Sequence, residues 1–196
     1  MYCEAKDSAA RRSGQSAMYY ILDVMTRLLA PVLAFTSNEI WKSMKHRAED
    51  DAEHVLLAGM PEYDASLEAY LDIEEKYEQL FNLRDEVMKA LEVARADKLI
   101  GKSLEAKIAV YTEDDEAYAV LNGFDAEELK AVFIVSSCAV IKGADADAFC
   151  EEGAKLAVKV APADGVKCDR CWMFSEESFE DGEGHLCPRC HATLNK

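Results

Sequence analysis

The stretch "CDRCWMFSEESFEDGEGHLCPRC" constrains this chain more than any other part of it. Cys168, Cys171, Cys187 and Cys190 form a C-x2-C-x15-C-x2-C pattern, which takes four of the seven cysteines. A tail this short and polar cannot bury enough apolar surface to fold on its own. Each CxxC can turn two thiolates toward one ion, and the long spacer lets the two knuckles face each other around a tetrahedral metal with zinc–sulfur bonds of ~2.3 Å. The spacing therefore predicts one structural Zn2+ per chain, whose binding supplies folding free energy on the order of 10 kcal/mol. Four cysteines close the site and leave no position for a catalytic water. A disulfide pairing is the weaker alternative in a reducing compartment, and a redox CxxC would need a thioredoxin-like βαβ around it. His185 and His191 are adjacent alternatives as ligands, expected around the site or in solvent.

The start "MYCEAKDSAARRSGQ" has no apolar segment of the kind that precedes a secretory cleavage site, and no apolar run is long enough to span a membrane. A cytoplasmic, membrane-free location is the expectation. The net charge is −16, which at first sight disfavours nucleic acid as a partner. The charge is uneven, however. Met1 to Arg47 carries seven Lys/Arg against four Asp/Glu, which leaves fifteen against thirty-four for the remainder. Local basic contacts can still set a bound geometry on a chain of this sign.

"QSAMYYILDVMTRLLAP" places Met18, Ile21, Leu22, Met25, Leu28 and Leu29 at helical spacing, with Pro31 marking its end or a kink. In "FTSNEIWKSMKHR", Thr36 and Glu39 stand as a capping box for a second helix carrying Ile40, Trp41 and Met44 on one face. A third and longest helix is expected over roughly Leu67 to Leu99, stopped by Gly101. Ile73, Tyr77, Leu80, Val87, Met88 and Leu91 share its apolar face, with Glu68, Glu75, Glu86 and Asp97 nearly opposite. Arg84, Arg95, Lys98 and Lys102 fall on the apolar side, so Arg84 is expected to point inward and be paired. "AKIAVY", "AVFIVSS" and "KLAVKVAP" read as strands, with short helices in "DDEAYAVLNGF" and "DAEELK". The fold class is thus mainly α with a small α+β unit. Its expected parts are a helical domain over 1–102, an α+β domain over 103–162, and a zinc-ribbon-like finger over 163–196. The spacer of the finger suits a β-hairpin.

Both knuckles carry an arginine before their second cysteine, Arg170 and Arg189, and Trp172 follows the first knuckle directly. The arginines either offset the formal −2 of a zinc tetrathiolate or face phosphates and bases. Trp172 is either the small core of the finger or a platform for an unstacked RNA base.

The tail resembles the zinc finger shared by bacterial isoleucyl-tRNA synthetases and the formamidopyrimidine-DNA glycosylase group. The segment "RRSGQSAMYYILDVMTRLLAPVLAFTSNEIW" resembles the helical anticodon-binding domain of class I synthetases for isoleucine, valine and leucine, and "NLRDEVMKALEVARADKLIGKSLEAKIAVY" resembles the next part of the isoleucine enzyme. Nearly the whole chain is covered. The glycosylase alternative would need an N-terminal proline nucleophile, where this chain has Met-Tyr-Cys. No HIGH-type or KMSKS-type ATP motif is found, so the resemblance implies the C-terminal portion of a longer enzyme that joins isoleucine to its tRNA with ATP. Its implied partners are the tRNA(Ile) anticodon arm and the catalytic domains of the parent chain. RNA contacts are expected from Arg27, Lys42, Lys45 and Arg47, with Arg95, Lys98 and Lys102 as additions, and from Arg170, Trp172 and Arg189 on the finger. The rival expectation is a zinc-ribbon module that braces the parent or binds protein without recognising RNA. A catalytic role for this chain alone is disfavoured, because no nucleophile, base and orienting group come together.

Overall fold

A computed structural model describes residues 3–46, 53–182 and 184–195. The chain divides into two compact units, Met1–Leu67 and Glu68–Lys196.

In the first unit, α1 (Ala9–Leu29) is opened by Ser8, whose side chain accepts from the Arg11 N–H at 3.2 Å. It ends two residues before Pro31, as expected. The second helix, α2 (Ala34–Ser43), starts earlier than the sequence predicts. The turn after α1 puts Leu33 at its N-cap, with no side-chain cap bond, so Thr36 and Glu39 lie inside the helix and the expected capping box does not govern its start. Trp41 is the centre of a small core with Ala30 and Val55. That core is too small to use the stripe of α1: Met18, Ile21, Met25 and Leu28 all remain about half exposed.

The second unit is built on α3 (Leu71–Ala96) and a three-stranded sheet. The central strand β1 (Ala106–Thr112) pairs in parallel with β2 (Ser137–Lys142) and antiparallel with β3 (Ala157–Pro162). The connection from β1 to β2 contains α4 (Asp115–Asn122) and α5 (Ala126–Phe133). The segment "AVFIVSS", expected as a strand, is a correction. Asp125 and Glu128 form a reciprocal capping box, Leu129 and Phe133 bury one helical face, and α5 ends only when Ile134 turns left-handed at φ 59°. The strand then begins at Ser137.

Leu80, Val87 and Leu91 of α3 pack in one cluster with Ile108, Val110, Phe133 and Val158. The long helix packs with the sheet in the second unit. Its faces also differ from the expectation at Ile73 and Glu86. Ile73 is half exposed, because the first turns of α3 run past the core. Glu86 faces the protein, where Oε2 accepts the Leu156 N–H at 2.8 Å. Arg84 is partly buried, and its Nε donates to the Val132 carbonyl at 2.9 Å. Among the described residues no helix is long and apolar enough to cross a membrane.

Candidate metal centre and nucleic-acid interface

The tail folds as two short hairpins and a helix: β4 (Val166–Lys167) with β5 (Phe174–Ser175), β6 (Phe179–Asp181) with β7 (Gly184–Leu186), and α6 (Pro188–Leu194). The first knuckle closes through the Trp172 N–H to the Cys168 carbonyl at 2.8 Å and the Cys168 N–H to the Met173 carbonyl at 2.9 Å. Cys187 is the N-cap of α6, Pro188 occupies its first turn, and Cys190 lies within it. A strand–turn–helix junction thus aims the second pair of thiols. The ring of His191 stacks on Phe179 at 4.2 Å and 11°, fastening β6 to α6.

One Sγ from each of Cys168, Cys171, Cys187 and Cys190 lies within 4.8 Å of all the others, a cluster that could hold a metal ion. The Cys171 and Cys187 sulfurs are 3.7 Å apart. A tetrahedral ion bonded to sulfur at ~2.3 Å requires sulfur–sulfur separations of about 3.8 Å, so the cluster has the right size. Burial works against the Cys168 thiolate, but backbone N–H groups of Cys171, Cys187 and Arg170 outweigh it and bring the thiol down to about 6. Burial pushes the Cys171 and Cys190 thiols up. Four thiols crowded this closely can all ionise only against a cation.

The structure adds residues that sequence reading missed. Asp169, between the first two cysteines, donates its N–H to the His185 carbonyl at 2.9 Å and accepts the His185 N–H on Oδ2 at 2.8 Å. This reciprocal pair ties the first knuckle to β7. It demands Gly184, at φ 130°, where a Cβ would stand 2.2 Å from that carboxylate oxygen. Gly165, at φ 89°, is equally constrained: a Cβ there would lie 2.1 Å from the Ser175 carbonyl oxygen across the β4–β5 hairpin. Glycines flanking the cysteine pairs were the available signal.

Trp172 is not the small core of the finger. It is 58% exposed, at a left-handed φ of 67°, and the Lys102 ammonium lies 5.8 Å from its ring centroid. Lys102 lies in the turn that follows α3, so the structure brings two sequence-predicted groups together. Arg95, Lys98, Gly101, Pro162 and Phe174 line a groove of about 470 Å³ beside this pair. Arg95 donates to the Ser103 hydroxyl at 3.2 Å, and Lys98 is exposed at a left-handed φ of 60°. The Glu105 carboxylate accepts the N–H groups of Gly101 and Lys102 at 2.9 and 3.3 Å, which fixes the turn that presents Lys102. Arg170 is half-buried, and Arg189 is exposed with Nη2 4.0 Å from the Met173 sulfur.

The remaining candidates lie in the first unit. Lys42 and Lys45 are exposed. Arg27 is committed internally: it bonds Asp23 at 3.1 Å, reaches the Ala58 carbonyl at 3.4 Å and lies over the Trp41 ring at 5.3 Å. These contacts brace the helix pair. Arg47 lies outside the described residues.

Residues 1–110 match the family model for the anticodon-binding domain of tRNA ligase. The isoleucine–tRNA ligases of Staphylococcus aureus strains JH9 and Newman are each 44% identical to the chain over 196 residues, covering 99% of it and 20% of their own length. The chain thus spans about a fifth of the length of these curated relatives. Since the family match takes in more than half of the residues, from α1 into β1, the chain belongs to the family of anticodon-binding domains of tRNA ligases.

Proposed function

We propose that the chain is the tRNA-binding region of an isoleucine–tRNA ligase. It grips the anticodon arm of tRNA(Ile) while catalytic domains of a longer parent protein aminoacylate that tRNA with ATP, in the cytoplasm. The observation that carries this reading is the meeting of an exposed Trp172 with Lys102 beside the basic end of α3. Such a surface offers an aromatic face to a base and ammonium groups to phosphate, the two demands of single-stranded RNA. The likeness to isoleucine–tRNA ligases along nearly the whole chain supports the choice of amino acid.

Zinc is the ion proposed for Cys168, Cys171, Cys187 and Cys190, because a closed set of four thiolates at tetrahedral spacing suits it. The ion supplies structure, not reaction chemistry. Asp169 and His185 hold the knuckles in register, and Arg170 and Arg189 place positive charge beside the thiolates. Phosphate positioning is assigned to Lys42, Lys45, Arg95, Lys98 and Lys102, and base stacking to Trp172. The test is binding of an anticodon stem-loop RNA across a salt series, with tRNA charging measured in the full-length parent. A wild-type chain that binds this RNA no better than a scrambled loop contradicts the reading. One observation favours a second reading, a protein-docking or bracing module: α1 keeps Met18, Ile21 and Met25 exposed.

A further inference from the structure

The finger meets the sheet at a buried hydroxyl, beside the Ala163 N–H on the Glu105 carbonyl at 2.7 Å and the Lys107–Asp164 ion pair at 2.6 Å. Ser136, 7% exposed at the entrance to β2, donates from Oγ to the Leu104 carbonyl at 2.6 Å and accepts the Phe174 N–H on the same oxygen at 2.8 Å. Its own N–H donates to the Ala106 carbonyl at 3.0 Å, so its backbone is already fixed by the sheet. Leu104 lies two residues after Lys102, and Phe174 two residues after Trp172. The hydroxyl therefore links the two short segments that carry the ammonium and the indole. Phe174 also lines the groove that holds Arg95 and Lys98.

From this geometry we propose that Ser136 is a positioning residue: its hydroxyl docks the cysteine finger so that Trp172 and Lys102 form one composite site for a single-stranded RNA nucleotide. The site takes the base on the indole face and the phosphate on Lys102 and its neighbours across the groove. The proposal rests on the RNA-binding reading given above for the composite site, but the docking itself does not. A hydroxyl that donates once and accepts once across chain separations of 32 and 38 residues specifies an orientation in a way that an apolar contact does not. Both partners are backbone groups, so losing the hydroxyl strands an acceptor and a donor at the joint.

The test compares Ser136→Thr with Ser136→Val in the full, metal-loaded chain, since these differ in the hydroxyl and hardly in volume. Two quantities are measured: hydrogen exchange of the Phe174 amide, and the coupling between Lys102→Ala and Trp172→Ala in affinity for an anticodon stem-loop RNA. With Val, metal content and helix content are expected to hold, Phe174 exchange to quicken about tenfold, as loss of one hydrogen bond supports, and the two alanine effects to become additive. Thr is expected to restore both protection and coupling. A Phe174 amide that stays protected in the Val variant overturns the proposal. So does persistent coupling in Val, failure of Thr to rescue, or loss of metal in Val alone, which would make Ser136 part of the finger's stability and not of its placement. If no variant, wild type included, binds the RNA, the RNA-binding reading and the composite site fall. Phe174 exchange then decides the docking role by itself.

Discussion

Single residues set the geometry of the finger, and their substitutions are separable. Cys187 is both a thiol of the cluster and the N-cap of α6. Cys187→Ser is expected to lose the metal and disorder residues 168–195 while α1 to α5 persist, which elemental analysis and far-ultraviolet circular dichroism together will register. Gly165→Ala meets both a left-handed backbone and the Ser175 carbonyl. The backbone alone costs ~1–2 kcal/mol, and the clash opens the β4–β5 hairpin, so the finger should lose protection from hydrogen exchange. Cys138 lies outside the cluster, and burial pushes its thiol up to about 12. It is expected to resist iodoacetamide at neutral pH while the exposed Cys150 reacts, as peptide mapping will report. The raised thiol has a stability consequence. The folded state holds this proton more tightly than the unfolded chain, whose thiol has the ordinary value of 9.0. The resulting stability is complete below that value and is lost as pH rises toward 12. Between about pH 8 and about pH 10.5 the urea midpoint of the wild type should therefore fall further than that of Cys138→Ala.

At the scale of elements, a reciprocal cap fixes the start of α5, whereas the cap pattern at Thr36 and Glu39 does not fix that of α2. Asp125 accepts the Glu128 N–H at 2.8 Å while Glu128 returns a bond to the Asp125 N–H at 3.2 Å. Asp125→Ala is expected to cost about 1 kcal/mol, read as a shift in urea midpoint without a change in slope. The helix was visible in "DAEELK", and β1 and β3 were visible as short β-rich runs. The strand expected at "AVFIVSS" was not, because its β-branched residues suit a strand while Leu129 and Phe133 also stand at helical spacing, and the cap chose the helix. Glu86 was misplaced for a different reason. A helical wheel sorts residues by hydropathy, but the Leu156 N–H needed an acceptor, a demand made by a segment seventy residues away. The thiol cluster was legible because its ligands are close in sequence. Ser136 was not, because its partners are set by tertiary packing and a lone serine leaves no local pattern.

At the scale of the whole molecule, a chain of net charge −16 must concentrate its attraction for RNA in a few places. On the proposed reading, the basic end of α3 and the finger, which share one compact unit, are one such place. Long-range repulsion from the acidic remainder is screened over ~8–10 Å at physiological salt, so the short contacts of Lys98 and Lys102 retain their effect there. Two kinds of loss are therefore expected. Lys98→Ala and Lys102→Ala should weaken binding to any stem-loop of similar shape, each reducing the magnitude of the slope of log affinity against log salt by about 1. Trp172→Ala should cost ~1–3 kcal/mol of binding, leave the slope unchanged, and erase preference for the isoleucine anticodon loop. The indole is 58% exposed, so its removal is expected to leave the metal in place, and metal content measured in the same variant checks this. In the full-length parent the same substitution should lower tRNA charging through KM for tRNA, with the rate of isoleucyl-adenylate formation unaltered, because that step needs no anticodon contact. A Trp172→Ala protein that retains its metal and matches the wild type in affinity and charging would reduce the finger to a brace. The RNA-contacting surface would then have to be sought on α2, around Lys42 and Lys45.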